Sequence, residues 1–490
     1  MLRRLIVHVS HYSTGSLLVT AASFVSFPIF TRTFSVEEYG ALNLIASLLL
    51  FWTGIGKLGM QHSIARFHAE VVAGKRAVDE SGYLSTVLVG MAMTGVAVAA
   101  GWALATLAIP PAWWHNEHVA RLIFPVSALI VVRVMDSALN NVLRAQQRSV
   151  TYNTYIVARK YVSLAAILLL IFYVLPGLPG FYVGTFMAEG AAVLVLLFHL
   201  VRRHGLAIRK FSPQTFRAML AFGVPLIAYE LSGVILILGD RYVIQVLAGS
   251  EALGLYSAAY NLCEYLQIVL FLSFATAITP IYVRMWEEQG EGPTVQFIEK
   301  ALRLYFMIGL AVLAGMIAVG EPILIVLASQ KYAAGAIVIP WVIIALLIDA
   351  STPMFGAGMY IAKQNHRIIP FVVGAAVLNI ALNFLLIPKV GILGAGIATV
   401  LSYIVVAVSA WTIGQKYVHI HFPYLDVLKF GVLAAIMLGA VMLVNLPNLW
   451  LNLGAKIATG VVVYSTLVLL FDRTARTALL EAKARFAGAD

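Results

Sequence analysis

The chain has 490 residues, of which 61% are hydrophobic and only 11% charged, and its mean hydropathy is +0.92. Soluble domains carry about 25% charged residues, so a water-soluble globular protein is excluded and lipid must solvate most of the surface. The single cysteine, Cys263, excludes an internal disulfide and a thiolate zinc cluster.

In chain order, the first apolar run follows Arg3 and Arg4 and continues to Phe30. That is long enough for a helix of ~20 residues to cross a bilayer, so it is expected to be a permanent span and not a cleaved leader. Apolar runs bounded by Gly, Pro and charge clusters predict about fourteen membrane helices. The first six lie near 10–30, 39–60, 82–108, 119–142, 153–175 and 180–201. Six more lie near 216–240, 252–284, 299–328, 334–361, 366–387 and 391–415, followed by 427–446 and 453–472. Pro322 predicts a break in the long run 299–328. The run lengths and the lack of alternation exclude a β-barrel.

With the N-terminus placed inside, 23 of the 33 Lys and Arg residues fall on the cytoplasmic side of these spans and six on the outer side. The remaining four, Lys57, Arg133, Arg159 and Lys160, lie within spans. By the positive-inside rule this predicts an even number of crossings in the inner (cytoplasmic) membrane, with both termini cytoplasmic. The net charge of +11 is therefore mostly topological, and no nucleic-acid partner is expected.

The chain also repeats. Leu143 to Arg148 precedes an apolar span, Pro176 and a Gly-rich start; Ile361 to Arg367 precedes a span, Pro388 and Gly391 to Gly396. The offset is 212 to 217 residues, and it also sets Glu37-Glu38-Tyr39-Gly40 close to Glu251-Ala252-Leu253-Gly254. The expected organisation is a six-helix lobe over 1–205, a second over 206–420, and two additional helices with a cytoplasmic tail over 421–490. Two lobes of even span number share one orientation, with substrate carried between them.

Several motifs run in order along nearly the whole chain. They are Pro28-Ile29-Phe30-Thr31-Arg32 with Ser35 to Gly40, Phe222 to Leu226 with Asp240-Arg241, Gly254 to Tyr260, and Pro388 to Thr399. Together they resemble the polysaccharide-exporter (Wzx-type) flippases of the multidrug/oligosaccharidyl-lipid/polysaccharide (MOP) superfamily. The resemblance implies an all-α membrane fold that flips undecaprenyl-diphosphate-linked oligosaccharides from the cytoplasmic to the outer leaflet by alternating access. The product would serve O-antigen (lipopolysaccharide), capsule or exopolysaccharide assembly. The implied partners are the lipid-linked oligosaccharide, membrane lipids, and a polysaccharide polymerase with its chain-length regulator.

Ionisable groups inside a membrane mark wet cavities or bundle interiors. Arg133, Ser137, Asn140 and Arg144 share one helical face in the fourth span. They offer a basic surface for a diphosphate, since guanidinium meets phosphate bidentately. The competing reading is a local Arg133–Asp136 pair, with Arg144 only setting topology. Arg159, Lys160 and Lys57 either join the anion site or snorkel to headgroups. All four in-span cations belong to the first lobe. In the eighth span Tyr256, Tyr260, Glu264 and Gln267 share a face suited to sugar rings or, equally, to helix packing. The hydroxyl stripe Ser13, Ser16, Thr20 and Ser23 is expected to bond within its own helix or glue neighbours.

Mid-span carboxylates are Glu189, Glu230, Glu264 and Asp349, with Asp240 beside Arg241 at an outer end. Glu230, Glu264 and Asp349 are candidates to couple transport to a proton or sodium gradient or to the membrane potential; alternatively such acids neutralise in-span cations. No Walker-type P-loop, serine triad or paired catalytic carboxylates can be assembled. His115-x-x-His118 and His419-x-His421 have no completing ligand, so no metal, catalytic residue or cofactor is expected. The reading is a secondary transporter. Its rivals are a multidrug or cation antiporter of the same superfamily, a lipid II flippase, and a membrane glycan polymerase.

Overall fold

The computed structural model describes the backbone of residues 2–477, and side chains from Gly15 onward except at 272, 273 and 275–277. The side chains of Arg3, Arg4 and Ser13, and residues 478–490 of the tail, lie outside the described residues. Among the described residues the regular structure is entirely helical. The first eight helices are α1 (Leu2–Thr33), α2 (Val36–Lys57), α3 (Met60–Val72), α4 (Glu80–Ala108), α5 (Glu117–Leu122), α6 (Ala128–Ala145), α7 (Ser149–Leu169) and α8 (Leu178–His204). They are followed by α9 (Pro213–Leu266), α10 (Ser273–Gln289), α11 (Glu291–Leu327), α12 (Ile339–Phe355) and α13 (Ala357–Ile361). The last four are α14 (Ile369–Val390), α15 (Ile392–Gly414), α16 (Tyr424–Met442) and α17 (Leu449–Phe471).

Thirteen helical stretches among the described residues are long and apolar enough to cross a membrane. One of them, Pro213–Phe271, has 59 residues, nearly three times the ~20 that a crossing needs. It is interrupted at Gly249, whose φ of 84° and ψ of 176° cannot continue a helix. The predicted spans 216–240 and 252–284 meet at that turn, so thirteen stretches accommodate fourteen crossings. The break expected at Pro322 is absent, and α11 continues from Glu291 to Leu327 with the proline inside it. Membrane helices tolerate internal proline because neighbouring groups and small local adjustments satisfy the freed carbonyl.

Local sequence explains the helix ends. Ser35 Oγ accepts from Glu38 N at 3.0 Å while Ser35 N donates to Glu38 Oε2 at 2.9 Å. This capping box satisfies two otherwise orphaned donors where α2 begins. Asp79 caps α4 through Gly82 N at 2.9 Å. Along α1, Thr20 and Ser23 donate back to the carbonyls of Ser16 and Val19, so at these two positions the hydroxyl stripe serves its own helix.

The chain forms two compact units. One comprises the described residues up to Ser257 together with Val372–Ala398; the other comprises Ala258–Phe371 and the described residues from Thr399 onward. In the first, α2, α4 and α6 pack together, and α7 lies against α1 and α8. A pair of glycines records the internal repeat here. A Cβ on Gly40 would lie 2.0 Å from Ser250 O, and one on Gly254 would lie 2.0 Å from Val36 O. The contacts are reciprocal: Gly40 and Gly254 are 214 residues apart, as are Val36 and Ser250, within the offset of the sequence repeat. The start of α2 and its repeat-related partner thus cross backbone to backbone, which only glycine permits.

In the second unit α11 is central and packs on α12, α16 and α17. Ala314, Ala318 and Val319 of α11 meet Ala434, Met437 and Val441 of α16, small residues that let helices approach closely. A charge network ties the same elements. Asp472 accepts from Lys429 Nζ at 2.6 Å and from Arg303, and Asp426 lies 3.1 Å from Arg303 Nε and 2.9 Å from Lys429 Nζ.

Candidate anion site in the first unit

A cavity of about 190 Å³ opens between α1, α2, α6, α7 and α8. Ser26 and Phe30 line it from α1, Arg133 from α6, Arg159, Lys160 and Ser163 from α7, and Tyr182 and Glu189 from α8. Three of the four in-span cations singled out in the sequence therefore converge on one space. Arg133 Nε lies 3.2 Å from Glu189 Oε2, and Arg159 Nη1 lies 3.0 Å from Asp136 Oδ2. Asp136 also accepts from Tyr155 Oη at 2.6 Å and Asn140 Nδ2 at 3.0 Å.

The local pair expected between Arg133 and Asp136 is thus replaced by two pairs that cross between helices. Arg133 and Asp136 stand only about 60° apart around α6, yet each meets a partner from another helix. Asn140 serves this arrangement as a brace on Asp136.

Counting charges decides what the cavity can receive. Three cations face two carboxylates, so one positive charge is left over. Among the described residues, Lys160 has no carboxylate within ion-pair distance, and the buried Nε of Arg159 has no hydrogen-bond partner. Buried donors normally find an acceptor. A ligand anion would satisfy both groups. The volume is below the roughly 300–1,000 Å³ of pockets that engulf a drug-sized ligand, so the cavity suits a phosphate-sized group and not a whole oligosaccharide.

The other sequence-singled residues lie elsewhere. Arg144 is exposed at the end of α6, bonded to the Tyr152 hydroxyl with its guanidinium 4.6 Å from that ring. Lys57, the last residue of α2, pairs at 2.8 Å with Glu230, which also accepts from Gln61 and lies 3.7 Å from His62 Nε2. A candidate cation and a candidate coupling acid therefore neutralise each other. Next to this pair, Leu58 and Gly59 turn the chain with φ of 46° and 69°. A Cβ on Gly59 would lie 2.1 Å from Gly223 O.

Tyr256 and Tyr260 are buried, at 0% and 1% exposure, and the Tyr256 hydroxyl bonds the buried Asp240. Their rings belong to the packed interior in this conformation. In the second unit Gln267 Nε2 donates to Asp349 Oδ2 at 3.1 Å, where the helix widens into a π-helical turn over Gln267–Leu272. No Lys, Arg or His among the described residues forms an ion pair with Asp349. Glu264 is half-buried on the last turns of α9.

Residues 7–286, more than half of the chain, match the polysaccharide biosynthesis protein family. The chain belongs to that family. A curated relative, the probable low-salt glycan biosynthesis flippase Agl15 of Haloferax volcanii, is 21% identical over 294 residues. That alignment covers 59% of this chain and 61% of the relative, so the chain spans less than two thirds of the relative's length. Among solved structures, the lipid II flippase MurJ in an inward closed conformation matches with a TM-score of 0.77 at 14% identity, covering 94% of this chain and 99% of that one. An inward-facing MATE multidrug transporter of the MOP superfamily matches with a TM-score of 0.64 at 17% identity, covering 82% and 94%. The chain shares the all-helical, multi-pass membrane fold of these solved structures.

For this family member, sequence reasoning missed two parts of the cation cavity. Glu189 was visible only as a mid-span acid, with nothing to say that it faces Arg133. Tyr155 was not singled out, although its spacing of four residues from Arg159 puts both on one face of α7. That face was the available signal.

Proposed function

We propose that the protein flips a lipid-diphosphate-linked oligosaccharide from the cytoplasmic to the outer leaflet of the inner membrane, with both termini cytoplasmic. The observation that carries this reading is the surplus positive charge of the cavity, set beside the glycan-flippase assignment of a distant relative. In this reading Lys160 and Arg159 receive the diphosphate. The glycan remains in the wet space outside the small cavity, and the prenyl chain stays in lipid. A carrier such as undecaprenyl diphosphate, and a product such as O-antigen, capsule or exopolysaccharide, fit this chemistry.

A cation antiporter is disfavoured, because three cations against two carboxylates repel a cationic drug. Asp349, a carboxylate with no ion-pair partner among the described residues, is the proposed coupling group. Glu230 is set aside for that role because Lys57 already pairs with it at 2.8 Å.

The test is surface glycan in cells whose only copy carries Arg159→Glu or Arg133→Glu. Surface glycan should disappear while the lipid-linked precursor accumulates on the cytoplasmic side and the variant remains in the membrane. Unchanged glycan in both variants would refute the assignment of the cavity.

A further inference from the structure

A second, apolar crevice of about 310 Å³ opens on the first unit between α4, α6 and α8. Leu88 and Ala92 of α4, Met135 of α6, and Leu197 and Val201 of α8 form its walls. Met135 follows Arg133 by two residues, about 200° around the helix, so the crevice and the cation cavity lie on opposite faces of α6.

The connector after α8 forms the mouth. Ala207 and Ile208 line it, and the connector is fastened to the first turns of α4. Ala207 N donates to Ser85 Oγ at 3.2 Å, Ser81 Oγ donates to Gly205 O at 3.1 Å, and Ser212 N donates to Thr86 Oγ1 at 2.9 Å. Ile208 is 78% exposed, a poor arrangement in water and a natural one at the edge of a bilayer.

The rim is basic. Arg202 and Arg203 in the last turn of α8, beside Val201, and Arg209 on the connector, beside Ile208, are exposed, and among the described residues none of them forms an ion pair with a carboxylate. Partial burial and the neighbouring Arg203 charge hold the Arg148 guanidinium below the usual arginine range. Cations are thus crowded beside an oily slot, where each exposed one attracts anionic headgroups.

We propose that this crevice binds an anionic phospholipid of the surrounding bilayer, with an acyl chain between α4, α6 and α8 and the headgroup phosphate on Arg202, Arg203 and Arg209. An apolar slot of this size takes a hydrocarbon chain, and the arginines without carboxylate partners supply the complement of a phosphate. In the orientation proposed above the site faces the cytoplasmic leaflet. It is separate from the cation cavity, so it stands whether or not that cavity carries a glycan lipid.

The test uses the full chain in nanodiscs of mixed phosphatidylcholine and phosphatidylglycerol, with retained lipid counted by native mass spectrometry. Phosphatidylglycerol should be retained in preference to phosphatidylcholine. The triple variant R202Q/R203Q/R209Q should lose about tenfold or more of it. Ala207→Trp, a change at an exposed connector position that blocks the slot, should lose it too while all arginines remain. Equal retention of the two lipids, unchanged retention in either variant, or a prenyl diphosphate in place of the phospholipid would overturn the proposal.

Discussion

The cation cavity of the first unit and the Asp349 region of the second present opposite electrostatic problems. In the first, Arg133, Arg159 and Lys160 outnumber Glu189 and Asp136 by one charge. In the second, among the described residues, Asp349 has only the neutral amide of Gln267 as a side-chain partner, at 3.1 Å. Both lie at depths where an unpaired charge is costly. The contrast teaches that this membrane protein does not neutralise every buried charge. It leaves one cation uncompensated where an anion is proposed to dock, and one carboxylate uncompensated where a coupling ion or proton is proposed to act.

The largest effect is expected at the paired arginines. Reversing Arg133 or Arg159 places three acids where two stood and leaves a buried charge without its partner, a loss of about 3–5 kcal/mol. Flipping should fall to background, as read by precursor accumulation, and the purified variant should melt at a lower temperature; combining R133E with E189R should restore the melting temperature. If the combined variant is no more stable than the single one, the crossed pairing is wrong.

The comparison is tested from the other side by Asp349→Asn. This variant should still bind lipid-linked precursor but lose the dependence of flipping on the ion gradient. Full gradient dependence in D349N would remove Asp349 from the coupling role.

A smaller change is expected from Lys160→Gln, which removes the surplus charge and breaks no ion pair. Precursor affinity should drop about tenfold, in line with the loss of one charged hydrogen bond of about 1.5–3 kcal/mol, while thermal stability is retained. An unchanged affinity would mean that the surplus charge is not part of the site.

The smallest effect sharpens the contrast within the second unit. Asp472, unlike Asp349, has cations: burial works to raise its carboxyl, but Lys429, the Ala475 N–H and Arg303 outweigh burial and hold it below the usual carboxylate range. A depressed value in the folded state stabilises above the unfolded carboxylate value near ~3.9. That stabilisation is lost as pH falls through the lower folded value. Asp472→Asn should cost about 2 kcal/mol near neutrality and leave flipping intact. A thermal-melting profile whose acid limb is the same in D472N and the parent protein would contradict this.

Much of the fold was legible in the residue order because burial in lipid leaves a one-dimensional trace. Runs such as 82–108 and 180–201 are apolar from end to end, and they match α4 and α8 closely. The Ser35-x-x-Glu38 spacing also carries a capping-box signal, not singled out from the sequence above, and the structure forms the box. Two local expectations shifted. Pro322 did not break α11, since membrane helices accommodate proline, and the boundary between the seventh and eighth spans proved to be a single-residue turn at Gly249.

By itself the sequence determined that this is a multi-pass helical membrane protein with cations concentrated inside its first half. Hydropathy and charge placement are properties of the chain alone, so no tertiary information was needed. Only the tertiary structure decided which charges meet. Arg133 finds Glu189 across 56 residues, Lys57 finds Glu230 across 173, and Gln267 finds Asp349 across 82. Helical periodicity specifies a face but not what packs against that face. The same limit separated Arg144, exposed at a helix end, from Arg133 on the same stripe, because depth within the bundle is set by neighbouring helices.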